Sequence, residues 1–167
     1  ALFYSGLGIP IARLAARYNR PRLIAACMAL WSLFTILCGS ATGFISLLFL
    51  RMGVGVGEAG CTPTAHSLIT DYVPREKRAS SLAFYSLGVP LGTLVGLGLG
   101  GLIADALGWR MTFLFAGAPG LALAALAYLT LREPRDGMLV HQRRQPIAFT
   151  AALKELAGKR SFWFVSL

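Results

Sequence analysis

Two charged residues, Arg51 and Glu58, stand seven positions apart in Arg-Met-Gly-Val-Gly-Val-Gly-Glu, within an apolar run long enough to cross a bilayer. A charge at the centre of a spanning helix costs roughly 2.5–3.5 kcal/mol on insertion scales, so a pair of them marks a candidate functional site. At about 100° per residue, Glu58 lies about 20° round the helix from Arg51 and roughly 10 Å further along it. One face therefore carries both. Their chemistry is proton exchange and anion recognition: a carboxyl in an apolar span can take up or release a proton, while a guanidinium pairs with the carboxylate or binds an anionic group of a ligand. An anion that competes for Arg51 changes how firmly Glu58 holds its proton, and the two events become coupled. A structural reading stands beside this one, in which an ion pair or hydrogen-bonded network only ties helices together.

Thr62, eleven residues after Arg51, falls near the same face, and Tyr85 brings a polar-tipped ring from the next span. Each can line a cavity or make an interhelical hydrogen bond. His66 follows Glu58 by about two turns but lies about 80° away around the helix, which fits packing better than a proton relay. No Ser/His/Asp, Cys/His or metal-ligand spacing is present, and the glycine runs lack the strand and Lys-Ser/Thr context of a phosphate loop. An enzyme is not expected, nor any metal or cofactor beyond protons as a coupling ion. Cys27, Cys38 and Cys61 all lie in apolar runs and read as small buried residues.

Helices must carry these residues. The 167-residue chain is 56% hydrophobic and 14% charged, with its apolar residues gathered into runs separated by basic clusters, so it reads as an all-α, multi-pass membrane protein. Of sixteen Lys and Arg, fourteen fall into three clusters: Arg13 to Arg22, Arg75 to Arg78, and Arg132 to Arg160. The turns near Ser40 to Gly43 and Asp105 to Gly108 carry none. By the positive-inside rule the clusters are cytoplasmic and the turns external, the orientation expected in a bacterial inner (plasma) membrane. The +9 charge thus alternates with spans and does not point to nucleic acid. Spans are expected at 1–12 (partial), 23–42, 44–70, 79–103 and 109–131, with Trp109 at the outer interface and Asp105 placed to pair with Arg110. Residues 132–160 form a cytoplasmic connection with an amphipathic helix marked by Phe149, Leu153 and Leu156, and 161–167 begin another span. The chain opens without Met inside one apolar run and stops inside another, so an internal piece of a longer protein is expected.

Glycine and proline indicate how the helices pack and bend. Gly88, Gly92, Gly96 and Gly100 recur every four residues and predict close approach of a neighbouring helix; Gly53, Gly57 and Gly60 form a second stripe, roughly opposite Arg51. Pro90 leaves the carbonyl of Ser86 without its helical partner and favours a bend, and Pro63 and Pro119 do likewise for Ala59 and Phe115.

The motifs resemble those of the major facilitator superfamily. Ala12 to Arg22 is similar to its loop between the second and third helices, with Arg17, Arg20 and Arg22 matching and Ala16 where the loop's acid would stand. Asp71 is then expected to supply an acid for Arg17. Arg51 with Gly55, Gly108-Trp-Arg-x-x-Phe113 and Arg132-Glu-Pro-Arg135 are similar to segments of the fourth helix and the flanks of the sixth, in the same order along the chain. The likeness implies an amino-terminal half covering helices two to six over 1–131 and the start of the seventh, with a cytoplasmic gating loop at Arg17, Arg20 and Asp71, and a missing carboxy-terminal half as partner. Gly55-Val-Gly-Glu-Ala59 with Pro63, and Phe84 to Gly92, are most similar to the spinster-like group. That implies proton-linked, alternating-access movement of lysophospholipids, sphingoid phosphates or other amphipathic or anionic molecules, with Glu58 and Arg51 at the coupling site and membrane lipids around the bundle. Organic anion or cation symporters of the same superfamily are the alternative, and a nontransporting membrane sensor or scaffold is the alternative of another class.

Overall fold

The computed structural model describes residues 19–134. Arg13, Arg17, the amphipathic segment at 149–156 and the expected partial spans at either end lie outside them. Four antiparallel crossings make up the described bundle: α1 (Arg20–Cys38), α2 (Phe44–Tyr72), a crossing in two pieces, α3 (Arg78–Ser86) and α4 (Gly88–Leu107), and α5 (Trp109–Thr130). Each crossing is long and apolar enough to span a membrane. Among the described residues there is no strand.

The two ends are defined by contacts. At the basic end, a short 3₁₀ turn, Arg75–Lys77, joins α2 to α3. Asn19 caps α1 there by accepting a hydrogen bond from the Arg22 amide at 3.1 Å, with Pro21 in the first turn where no N–H is needed. At the opposite end, Ser46 Oγ accepts from the Gly43 amide at 3.2 Å and starts α2 directly after the turn. Gly108 turns the chain between α4 and α5 at φ +86°, a conformation that favours glycine, so Trp109 can begin α5 at once.

Helix α1 lies between α2 and α5, and glycines set how closely it is approached. A Cβ at Gly53 would stand 2.6 Å from the Phe34 ring, and one at Gly57 would stand 2.8 Å from the Trp31 backbone nitrogen. The stripe expected on α2 is thus a packing face, meeting Cys27, Trp31 and Phe34 of α1, spaced at i, i+4 and i+7. Behind it, Ile24, Cys27, Cys61, Ala65 and Leu68 form the buried core, and all three cysteines are buried as expected. On the other side of α1, a Cβ at Gly117 would come within 2.7 Å of the Ser32 carbonyl oxygen, and one at Gly120 would overlap Ser32 Oγ. These α5 glycines carry no regular four-residue repeat.

The glycine repeat on α4 behaves otherwise. Gly88, Gly92 and Gly96 have no atom within reach of an added Cβ, and Gly100 meets only Thr112 Cγ2 at 3.6 Å. Among the described residues this stripe seats no neighbouring helix at Gly88, Gly92 or Gly96, and only Gly100, at its far end, touches α5. Where a bend is expected near Pro90, the helix is interrupted for one residue, Leu87. Helix α3 ends at Ser86, Leu87 forms a turn, and Pro90 falls in the first turn of α4, where its missing N–H breaks no bond. Pro63 and Pro119 lie inside α2 and α5, and those helices continue through them.

Candidate functional site

Glu58 lies near the middle of α2, with Arg51 two turns nearer its start, and both are exposed on the described bundle. No ion pair joins them among the described residues. Helix geometry supplies the reason: side chains lean toward the N-terminus of their own helix, so Arg51 reaches away from Glu58. Its guanidinium carbon instead sits 5.0 Å above the centroid of the Phe113 ring on α5, in cation–π range. Of the two roles open to Arg51, pairing with Glu58 or binding an anionic group, this conformation does not contain the pairing.

Thr62 is half-buried on the same helix, and the neighbouring Thr64 is fully buried, its hydroxyl donating to the Gly60 carbonyl at 2.6 Å. Tyr85 sits two residues before the break at Leu87. Its ring meets that of His66 edge-on, with centroids 5.3 Å apart, so His66 packs α2 against the end of α3. Neither Thr62 nor Tyr85 is brought to Arg51 by a hydrogen bond or ring contact, whereas Phe113, absent from the expected site, is.

A second charged cluster closes the basic end. Arg20 is fully buried, at 0% exposure, between two carboxylates. Its Nη1 donates to Asp71 Oδ2 at 2.8 Å and to the Ser67 carbonyl and hydroxyl, each at 3.0 Å. Its Nε donates to Glu133 Oε1 at 3.1 Å, Nη2 donates to the same oxygen, and its backbone amide donates to Glu133 Oε2 at 2.8 Å. The Tyr72 hydroxyl donates to the Arg132 carbonyl and accepts from the Arg132 amide, binding the same strap to α2. One guanidinium thus fastens the start of α1, the end of α2 and the segment after α5. Arg20 lies at the positive end of its helix dipole and Asp71 at the negative end of its own, so each is poorly placed alone and their pairing offsets both penalties.

Asp71, expected to supply an acid for Arg17, pairs with Arg20, another residue of the expected gating loop, and Arg17 lies outside the described residues. Glu133 was visible only as part of a motif; its partner stands 113 positions earlier. At the opposite end, Arg110 does not pair with Asp105. It donates to the Ala41 carbonyl at 3.4 Å and lies 4.3 Å above its own neighbour, Trp109. The backbone carbonyl on the α1–α2 turn is within its reach.

The described helices form a membrane-spanning bundle with two charges on the exposed face of one helix and a buried charged cluster across one end. The profile described as Major Facilitator Superfamily matches residues 1–167, and the chain belongs to that family of transporters, which are not enzymes. It is therefore an integral multi-pass membrane protein with an all-α fold. An MFS-type efflux pump of Mycolicibacterium smegmatis is 37% identical over 131 residues, covering 78% of this chain and 30% of the pump. Protein spinster homolog 1 of Homo sapiens is 32% identical over 161 residues, covering 92% of this chain and 30% of that protein. The crystal structure of a bacterial homolog to the human lysosomal transporter Spinster, inward-facing and unoccupied, superposes with a TM-score of 0.73 at 38% identity, covering 98% of this chain and 40% of its own. The chain thus spans well under half the length of these relatives, and within the family it is spinster-like.

Proposed function

We propose that the chain is part of a proton-coupled secondary transporter that moves lysophospholipid, sphingoid phosphate or another amphipathic small molecule by alternating access. Glu58 carries the coupling proton and Arg51 binds the anionic group of the substrate. The observation that supports this best is that Glu58 stands on a membrane-spanning helix without an ion pair among the described residues, so its charge is not neutralised by Arg51. A carboxyl held only to tie helices together would have a cation against it. The spinster likeness supplies the substrate class.

In this reading the basic end is cytoplasmic, the membrane is the bacterial inner (plasma) membrane, and Arg20, with Asp71 and Glu133, latches that end while Arg17 adds to the gating loop. The open glycine face of α4 seats the carboxy-terminal half, and the break at Leu87 lets α3 and α4 tilt separately. Tyr85 and Thr62 line the path between the halves.

The test is uptake of labelled lysophospholipid by the full-length protein in liposomes under an imposed pH gradient. Glu58→Gln is expected to abolish gradient-driven accumulation while leaving folding intact. Accumulation at the wild-type rate in that variant rules out coupling through Glu58. Flux of small organic anions but not of lysophospholipid moves the substrate class to the symporter alternative, and no flux of either points to a nontransporting sensor or scaffold.

A further inference from the structure

Phe113 belongs to Gly108-Trp-Arg-x-x-Phe113, a motif to which the proposed transport cycle gives no task. The ring is half-buried, with the Arg51 guanidinium carbon 5.0 Å above it. Its own position is fixed by a chain of contacts. Trp109 meets it edge-on, with centroids 6.0 Å apart and planes at 89°. Arg110 covers Trp109 at 4.3 Å and hydrogen-bonds the Ala41 carbonyl on the turn between α1 and α2. Gly39 lets that turn come close, since a Cβ there would stand 2.7 Å from the Arg110 carbonyl oxygen. The platform under Arg51 therefore belongs to α5 and is held against the turn between α1 and α2.

We infer that Phe113 is the positioning residue for Arg51, holding one face of its guanidinium so that the edge N–H donors are presented to an anionic head group at the Trp109 end of the span, apart from Glu58. A guanidinium has five N–H donors in a planar fork, and stacking on a ring occupies the face while leaving the fork available. Among the described residues Arg51 makes no hydrogen bond or ion pair, so the fork has no protein acceptor there. A carboxylate or phosphate fits it bidentately. An arginine without the ring would spread over its many rotamers and lose part of its affinity to ordering. This inference rests on Arg51 binding the anion, as proposed above.

The experiment is equilibrium binding of labelled lysophospholipid to full-length protein, comparing wild type, Phe113→Leu, Phe113→Tyr, Arg51→Gln and the Arg51→Gln/Phe113→Leu double variant. Phe113→Leu is expected to weaken binding about two- to five-fold, the range of a cation–π contact at modest exposure. Phe113→Tyr, which keeps the ring face, is expected to bind as wild type does. In the Arg51→Gln background, Phe113→Leu is expected to add nothing. A merely structural role for the ring would cost as much with Gln at 51 as with Arg. Should Phe113→Leu fail to fold, 3,4,5-trifluorophenylalanine at 113 keeps the shape while weakening the π face, and the same loss is expected. Unchanged binding in the ring variants, or an undiminished loss in the Arg51→Gln background, overturns the inference while leaving Arg51 as the anion site. Equal binding by wild type and Arg51→Gln overturns the anion-site reading and this inference together.

Discussion

Three arginines in this bundle illustrate how one residue type does different work according to what surrounds it. Arg20 is buried with two carboxylates, Arg51 is stacked on a ring with its donors open, and Arg110 is shared between a ring and a backbone carbonyl. Removing the first should be the most damaging to stability, because Glu133, 4% exposed, would then be buried without this cation. Arg20→Gln is expected to destabilise the full-length protein by about 3–5 kcal/mol, read as a lower midpoint of thermal unfolding in detergent. Combining it with Glu133→Gln should recover part of the loss, since the buried carboxylate that lost this cation is neutralised. An unchanged midpoint for Arg20→Gln would show that the cluster contributes nothing net to stability. Arg51 and Glu58 were legible in the sequence because a charge within an apolar run is conspicuous on composition alone. The partners of Arg20 and Arg51 were less legible: Glu133 and Phe113 come from distant segments, and spacing along a chain carries no direct information about contact across helices.

At the scale of the helix, the same logic separates the two glycine stripes. Both had small residues at helical spacing, yet among the described residues only the one on α2 is approached closely, the one on α4 touching a neighbour at Gly100 alone. Spacing shows that a face can be approached closely, and the arrangement of helices decides whether it is. Gly57→Ala should force Trp31 and the α1 backbone to shift, at a cost of about 1–3 kcal/mol for overpacking. Gly92→Ala has open space around it within this bundle. The expected outcome is a clear fall in unfolding midpoint for Gly57→Ala and a wild-type midpoint for an isolated bundle-level readout of Gly92→Ala, such as crosslinking between α1 and α2. Equal behaviour of the two would mean that the α1–α2 contact is not set by glycine. An interruption near Pro90 was readable because the cost of a missing N–H is local to four residues. Why Pro63 and Pro119 leave their helices continuous was not readable, since that depends on packing on either side.

At the scale of the whole molecule, the described helices are joined at both ends by polar contacts and in the middle by small residues, which is how a bundle holds together where lipid supplies no hydrophobic drive between helices. The four crossings among the described residues followed from apolar run length, and the long α2, Phe44–Tyr72, differs by only two residues from the expected span. What sequence did not convey was that α1 occupies the middle, because its two faces, one toward Gly57 and one toward Gly117, use ordinary apolar and small side chains. The family places this bundle within a longer transporter, and the coupling proposed for it is a statement about proton and substrate moving together. The most direct measurement is therefore the internal pH of liposomes containing full-length protein, followed with a trapped dye as lysophospholipid is added without an imposed gradient. The account predicts that wild type moves protons with substrate, and that Glu58→Gln binds substrate but moves none. Proton movement of the same size in Glu58→Gln would contradict it.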